Sequence, residues 1–177
     1  EFRRVLFRSA EGKYVVNIVD AGLLATKISS TQDGKKLSGA EYRLSVKSIN
    51  GYEISDLAKS ITSDKNGLMS YNGLGVGEFL FVETKAPSVD GMQYALSSEE
   101  FTVSIYRSGV SQYSIYVYSS NSSQPLSSMT FDVSDELMGS NNDTYSTPET
   151  HIVEFTAKDN LLYTLPETGG RGVYVYI

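Results

Sequence analysis

Short runs in which apolar and polar residues alternate recur along the chain, and clusters of Gly, Asn, Asp and Ser separate them. A period of two places apolar side chains on one face of a strand, whereas an amphipathic helix needs a period of roughly 3.6 residues. No stretch away from the two ends sustains the helical period. The pattern therefore predicts an all-β fold. Strands are expected at 14–19, 24–29, 40–46, 77–83, 100–107, 112–118, 129–133 and 151–157.

Turn-forming residues lie between these runs. Gln32-Asp33-Gly34 and Lys65-Asn66-Gly67 favour a tight turn with a positive φ at the glycine. Two short helices are also predicted, one at 55–60 and one at 134–138, and 143–149 is expected to be an irregular loop.

Composition narrows the class of protein. A chain of 177 residues can hold one sizeable domain. The absence of cysteine excludes disulfides and thiolate metal sites, and the single histidine, His151, excludes a histidine metal cluster. The net charge of -6 argues against nucleic-acid binding, because such proteins usually carry a basic stripe. We predict no cofactor, no metal site and no nucleic-acid partner.

Near the C-terminus the chain reads Leu165-Pro166-Glu167-Thr168-Gly169. Pro166 fixes its own φ and favours an extended Leu165, while Gly169 lets an enzyme approach the backbone closely. The peptide resembles the LPxTG sorting signal of Gram-positive surface proteins, in which a sortase cysteine attacks the threonine carbonyl and transfers the chain to an amino group. The resemblance implies sortase as a partner, Thr168 as the anchored residue, and a secreted protein anchored to the cell wall.

An apolar run follows the sorting peptide. In the family this run continues as a membrane-spanning helix, which needs roughly 20 apolar residues. Only the first few are present at 173–177. We therefore interpret 161–177 as the sorting signal and the start of a truncated transmembrane segment.

Two further motifs occur upstream. The first is Leu24-Ala25-Thr26-Lys27-Ile28, then Asp33-Gly34-Lys35, then Leu-Ser-Gly-Ala-Glu-Tyr-Arg-Leu at 37–44; the second is Phe-Leu-Phe-Val-Glu-Thr-Lys-Ala-Pro at 79–87. In this order they resemble the opening and the glutamate box of a CnaB-type domain, also called the SpaA-like prealbumin fold, with Tyr42 at a position where the family pattern has phenylalanine. The resemblance covers roughly residues 22–160 and implies an Ig-like or prealbumin-like β-sandwich.

The same resemblance implies a covalent crosslink. In CnaB-type domains a lysine of the first strand and an asparagine or aspartate of the last can form an isopeptide bond, with the box glutamate as proton shuttle. Lys27 and Glu83 match the lysine and the glutamate. Burial favours this chemistry, because desolvation lowers the pKa of lysine and raises that of glutamate. Without an acceptor, the two side chains would instead form a buried ion pair.

The acceptor departs from the family pattern. The matching run is 153–157, Val-Glu-Phe-Thr-Ala, which places Ala157 where the family usually has asparagine. Asp159 lies two residues further on and shares the same face if the strand continues, and Asn160 is adjacent. We predict Asp159 as the first candidate acceptor and Asn160 as the second.

The N-terminal segment has a different character. Residues 1–10 contain three of the six arginines and resemble a translated cloning adapter, so we predict a non-native or disordered segment. Residues 11–21 have two interpretations. They resemble the closing strand of a preceding module, with Asn17 as its acceptor, and they are equally consistent with an N-terminal strand of the domain that follows.

Three tyrosines form a candidate binding surface. Tyr116 and Tyr118 share one strand face, and Tyr106 is expected across the hairpin from them. Aromatic side chains recur in carbohydrate-binding and protein-binding surfaces. They also stabilise hairpins through cross-strand pairs, and this second role is the one that we favour.

Together these features predict a structural or adhesive stalk module of a bacterial surface protein, not an enzyme. Its partners would be sortase, then peptidoglycan, and a host or matrix ligand that the sequence does not name. The alternative is a pilus subunit in which Thr168 is joined to a neighbouring pilin, although the family's Tyr-Pro-Lys motif is not in this sequence. A surface hydrolase would depend on His151, and the serine-rich runs lack the glycines of a nucleophile elbow.

Overall fold

The computed structural model describes residues 4–10, 13–49, 52–53, 58–133, 136–138 and 150–162. All regular secondary structure in these ranges is β-strand. In chain order the strands are β1 Arg4–Ala10, β2 Lys13–Val19, β3 Ala21–Ser29, β4 Glu41–Ile49, β5 Tyr52–Glu53, β6 Ala58–Thr62, β7 Leu68–Leu74, β8 Gly77–Lys85, β9 Ser88–Val89, β10 Met92–Gln93, β11 Glu100–Arg107, β12 Gln112–Ser119, β13 Pro125–Asp132, β14 Glu136–Met138 and β15 His151–Asp159. The prediction of an all-β sandwich is confirmed, and each predicted strand overlaps an observed one.

Two sheets form the sandwich. The larger has the order β13-β12-β11-β8-β4-β5, with β6 also paired to β4, and the smaller has the order β15-β3-β7. β3 and β15 run parallel, with Ala157 opposite Lys27, whereas β3 and β7 are antiparallel. The first and last strands of the sandwich are therefore direct neighbours, although more than a hundred residues separate them in sequence.

The core lies between the two sheets. Alternate residues of β3 and β15 are buried, and the same alternation on β4, β8 and β11 turns their apolar side chains inward. The ring of Phe81 on β8 packs against Phe101 of the same sheet and against Phe155 of the opposite sheet, with centroid distances of 6.5 and 6.0 Å. Such burial of apolar surface is the main source of stability in a sandwich.

Asp20 links the start of β3 to the start of β15 through hydrogen bonds. Its carboxylate accepts hydrogen bonds from Gly73 N at 3.0 Å and from Thr150 Oγ1 at 3.1 Å, and its carbonyl oxygen accepts one from His151 N at 3.0 Å. Asp20 is itself 3% exposed. These contacts fix where β15 starts against β3, and hence which residues of the two strands lie side by side.

A separate three-stranded sheet has the order β1-β2-β14. Residues 4–10 form β1 and pair along their length with β2. The strand predicted at 14–19 is present as β2, and it pairs with β1 and β14. Neither interpretation of residues 11–21 is decided by this pairing.

The two short predicted helices are wrong where the structure describes them. Residues 58–60 belong to β6, which pairs with β4, and residues 136–138 form β14. Pairing with a neighbouring strand overrides the local preference for helix in such short segments. The rest of both predicted helices, and the loop predicted at 143–149, lie outside the described residues.

Within the described ranges, no helix has the length and apolarity needed to cross a membrane. The transmembrane start predicted within 161–177 falls almost entirely outside those ranges.

Candidate functional site

Four inward-facing side chains from four strands meet in the core. Lys27 comes from β3, Asp159 from β15, Glu83 from β8 and Tyr42 from β4. Lys27 and Tyr42 are 0% exposed, Asp159 is 2% exposed and Glu83 is 7% exposed. Charged groups are almost never buried to this degree unless they are paired. The structure therefore brings together three of the predicted crosslink residues, and adds a tyrosine.

The amine of Lys27 is the centre of this cluster. Its Nζ donates a hydrogen bond to Asp159 Oδ1 at 2.5 Å and another to the hydroxyl of Tyr42 at 2.6 Å. It also lies 3.0 Å from Glu83 Oε1, as an ion pair without the alignment of a hydrogen bond. The second oxygen of Glu83 accepts a hydrogen bond from Ser97 N at 2.7 Å, whereas Asp159 Oδ2 has no donor among the described residues.

Burial controls the protonation of this cluster. Desolvation raises the pKa of Glu83 from 4.5 to about 7, against the opposing effects of the Ser97 hydrogen bond and the charge of Lys27. The pKa of Tyr42 is raised as well, first by burial and then by the negative charges of Glu83 and Asp159. Glu83 can thus carry a proton near neutral pH, and Tyr42 stays protonated.

The backbone around Lys27 is fixed by a turn. Lys27 N donates to Gly67 O at 2.7 Å, and Leu37 N donates to Lys27 O at 3.0 Å. Gly67 has a φ of 72°, and a Cβ there would lie 2.5 Å from Lys27 O, so only glycine fits. The positive φ predicted for the two glycine turns is confirmed, with 64° at Gly34.

The two candidate acceptors have different places. β15 continues as far as Asp159, which faces the core with Ala157 and contacts Lys27. Asn160 follows the end of the strand, is exposed, and accepts a hydrogen bond from Ser30 Oγ through its side chain. The structure therefore places Asp159, and not Asn160, against the lysine.

A cleft of about 260 Å³ lies beside the end of β15. Asp159 and Ser97 line it from the inside, and the exposed side chains of Leu96 and Asn160 lie at its rim. The side chain of Asp159 is itself 0% exposed, so the cleft ends short of the buried carboxyl.

The three candidate surface tyrosines form one row on the outer face of the larger sheet. The rings of Tyr106 and Tyr116 are 5.8 Å apart and 11° from parallel, and those of Tyr116 and Tyr118 are 6.0 Å apart and 12° from parallel. Tyr106 is 43% exposed and Tyr118 is 38% exposed. The row makes the cross-strand contacts expected of a hairpin, and it also presents aromatic surface to solvent.

His151 has a structural environment. Its ring stacks on that of Phe131 with centroids 4.0 Å apart, and its backbone N–H is bonded to Asp20. Across the described ranges, no group of three or more His, Asp or Glu side chains is arranged to hold a metal ion. The sorting residues Leu165, Pro166, Glu167, Thr168 and Gly169 lie outside those ranges.

The comparison with protein families agrees with this geometry. The model of the SpaA prealbumin-like fold domain matches residues 22–117, just over half of the chain, including the strands that carry Lys27, Tyr42 and Glu83. The chain belongs to this family. No curated protein is detectably similar to the sequence.

Solved structures with a similar arrangement include three bacterial proteins, all of low identity. The major pilin subunit BcpA of Bacillus cereus has a TM-score of 0.41 and 17% identity, with 89% of this chain and 39% of that chain covered. The group B streptococcus pilus 2b backbone protein has a TM-score of 0.40 and 16% identity, with coverage of 86% and 50%. The Bacillus anthracis TIE protein has a TM-score of 0.39 and 16% identity, with coverage of 81% and 34%. The chain thus spans half or less of the length of each.

Tyr42 is the site residue that the sequence did not identify. Its alternation with Leu44 predicts an inward side chain, but gives no sign that the hydroxyl meets Lys27 across the sandwich. The sequence did offer one sign of this contact, the tyrosine itself. The hydroxyl of a buried tyrosine usually has a hydrogen-bond partner.

Proposed function

We propose that this SpaA-type domain is a structural module of a Gram-positive surface protein, stiffened by an isopeptide bond between Lys27 and Asp159. The contact of 2.5 Å between Lys27 Nζ and Asp159 Oδ1 in a fully buried site carries the proposal. Reactants held in this way gain the large rate advantage of an intramolecular reaction. Lys27 is the nucleophile, Asp159 the acceptor, and Glu83 the proton shuttle.

The reaction balances as a condensation. The reaction requires the neutral amine of Lys27 and the protonated carboxyl group of Asp159. The Nζ of Lys27 attacks the carboxyl carbon of Asp159. An N–C bond forms, a C–O bond of the carboxyl group breaks, and one water leaves. Glu83 serves first as the acid that polarises the carboxyl and then as the base that takes the proton from the amine.

The bond would carry load between the first and last strands of the sandwich. Lys27 and Asp159 are 132 residues apart in sequence but lie on adjacent parallel strands. A pull on β3 and β15 would then act on a covalent bond and not on the backbone hydrogen bonds of the core. This property suits a stalk that is exposed to shear and to proteases.

The purified chain is expected to weigh one water less than its sequence. Lys27→Ala and Asp159→Ala should each restore the full mass, because each removes one reactant. Asp159→Asn provides an internal check, since an asparagine acceptor releases ammonia and gives a product of the same mass as the wild-type crosslink. The measurement is intact mass spectrometry of the denatured protein.

Asn160→Ala is the matched control for the acceptor. It alters the adjacent residue, which lies outside the buried cluster, and should keep the loss of water. A wild-type chain at full mass would overturn the proposed bond. Loss of one ammonia in place of water, which disappeared in Asn160→Ala and persisted in Asp159→Ala, would move the acceptor to Asn160.

The anchoring part of the proposal rests on the sequence at 165–169. Sortase is expected to cut between Thr168 and Gly169, releasing the Gly169 amine and holding Thr168 as a thioester. An amine of the cell wall or, in the alternative, a lysine of a neighbouring pilin would then take the Thr168 acyl group and release the sortase thiol. The module would then stand on the bacterial surface with the row of surface tyrosines available for adhesion. The ligand of such an adhesive role would be a host or matrix component.

Incubation of the chain with purified sortase and a short oligoglycine should give a product that ends at Thr168 joined to the added peptide. Two residues of the proposed signal are tested by Thr168→Ala and Pro166→Ala, which should block transfer. Thr164→Ala, which lies just outside the signal, should not block it. Mass spectrometry of the product reads out the junction. An intact wild-type chain after prolonged incubation would refute anchoring and leave the crosslink unaffected.

A further inference from the structure

The hydroxyl of Tyr42 is the third neighbour of the Lys27 amine. An ammonium group has three N–H bonds to direct. In this site one is donated to Asp159 and one to Tyr42, and Glu83 lies near the third at ion-pair distance. Tyr42 therefore accounts for one of the only two hydrogen bonds that the buried amine makes within the described part of the chain.

Two of these three neighbours change during bond formation. Asp159 is consumed as the acceptor, and Glu83 exchanges protons with the reactants. Tyr42 does neither, and the raised pKa of its hydroxyl keeps it neutral at working pH. Its oxygen can therefore hold the same N–H before, during and after the attack.

The ring of Tyr42 is itself held in place. It stacks on Phe81 with centroids 4.5 Å apart and planes 20° apart, and it is 0% exposed. The ring accounts for this packing, and the hydroxyl adds the contact with Lys27. A fixed hydroxyl aimed at a reactive amine is the kind of supporting contact that orients a reacting group.

We propose that Tyr42 is a positioning residue for the Lys27–Asp159 bond: its oxygen holds one N–H of Lys27 and so directs the nitrogen lone pair toward the carboxyl carbon of Asp159. The inference rests on the proposed crosslink. It assigns no proton transfer to Tyr42, which acts only through the orientation of Lys27.

The test is the rate of bond formation in Tyr42→Phe. Chain isolated unfolded, before the bond has formed, is refolded by dilution at several pH values, quenched in acid, and weighed for loss of water. The maximum of the pH–rate profile should fall about tenfold or more in Tyr42→Phe, because no pH restores the lost orientation. Lys27 contacts this hydroxyl, and the negative charges of Glu83, Asp159 and Glu99 lie close enough to raise its pKa, so the rates are compared over the whole profile.

Tyr113→Phe is the matched control. Tyr113 is also 0% exposed and stacked on a phenylalanine ring, but its hydroxyl has no hydrogen-bond partner within the described ranges. Removing that hydroxyl should leave the rate of bond formation unchanged. The end point checks folding, since a correctly folded Tyr42→Phe chain still reaches the full loss of water.

The outcomes separate the two proposals. If the wild-type chain never loses water, the proposed crosslink and the role of Tyr42 are both refuted. A wild-type chain that reacts while Tyr42→Phe matches its maximum rate overturns the role of Tyr42 alone. Equal slowing in Tyr42→Phe and Tyr113→Phe would also overturn it, by showing a general effect on the core.

Discussion

Replacing Glu83 by glutamine is expected to slow formation of the Lys27–Asp159 bond by about 100-fold to 10,000-fold. Glutamine keeps the size of the side chain and can still accept from Ser97 N, but it can neither give a proton to Asp159 nor take one from Lys27. Intact mass after timed refolding measures the effect. Glu78→Gln, a change on the same strand at a partly exposed residue, should react like the wild type.

The pH dependence of the wild-type reaction provides a second measure of the same group. Glu83 is useful as an acid only while it is protonated, and its pKa of about 7 means that this form is lost as the pH rises through neutrality. The rate should therefore decline above about pH 7. Full crosslinking of Glu83→Gln at the wild-type rate would show that the reaction does not need the carboxyl of residue 83.

Much of the site could be predicted from the sequence, because its residues lie in motifs or on a regular period. Lys27 and Glu83 stand in motifs of the domain family. Asp159 followed from alternation alone, on the condition that the last strand continue past Ala157, and β15 ends at Asp159. Asn160 was the weaker candidate for the same reason, because a shift of one residue reverses the side chain.

The contact of Tyr42 with Lys27 could not be predicted in this way. Alternation tells which face of a strand a residue occupies, but not which residue of the opposite sheet it meets. Tyr42 belongs to the larger sheet and Lys27 to the smaller, and their contact depends on how the two sheets pack. Only a structure gives that alignment.

Strands without a clear pattern were missed for a related reason. β6 is exposed at nearly every position, so its sequence carries no alternation, and it exists through its pairing with β4. β7 contains Asn72 and Gly73, which indicate a turn in isolation. In the structure Gly73 has a φ of 85° and lies where the pairing of β7 with β3 shifts register, and its N–H donates to the buried Asp20.

Burial prepares the cluster for reaction. It also means that loss of the lysine should strongly lower the free energy of unfolding. Lys27 supplies the only positive charge in contact with Glu83 and Asp159 among the described residues, and the side chains of all three are 0% exposed. Removing one partner of such a buried pair leaves an uncompensated charge, whereas neutral replacement of the whole group is tolerated better. Stability and chemistry thus depend on the same four side chains.

Lys27→Ala is expected to lower the free energy of unfolding by about 3–5 kcal/mol through the unpaired carboxylates, and by about a further 2–4 kcal/mol if the wild type is crosslinked. The loss should be largest above about pH 7 and smaller toward pH 4.5, because Glu83 has a higher pKa in the folded chain than its ordinary 4.5 and so binds its proton more tightly there. Urea unfolding across this pH range is the measurement.

Lys158→Ala, which removes an exposed lysine beside Asp159, should change the free energy of unfolding by no more than about 0.5 kcal/mol. Lys27→Met combined with Glu83→Gln and Asp159→Asn, which leaves no buried charge, should recover part of the loss. Equal stability of Lys27→Ala and Lys158→Ala would mean that neither the ion pair nor the crosslink supports the fold.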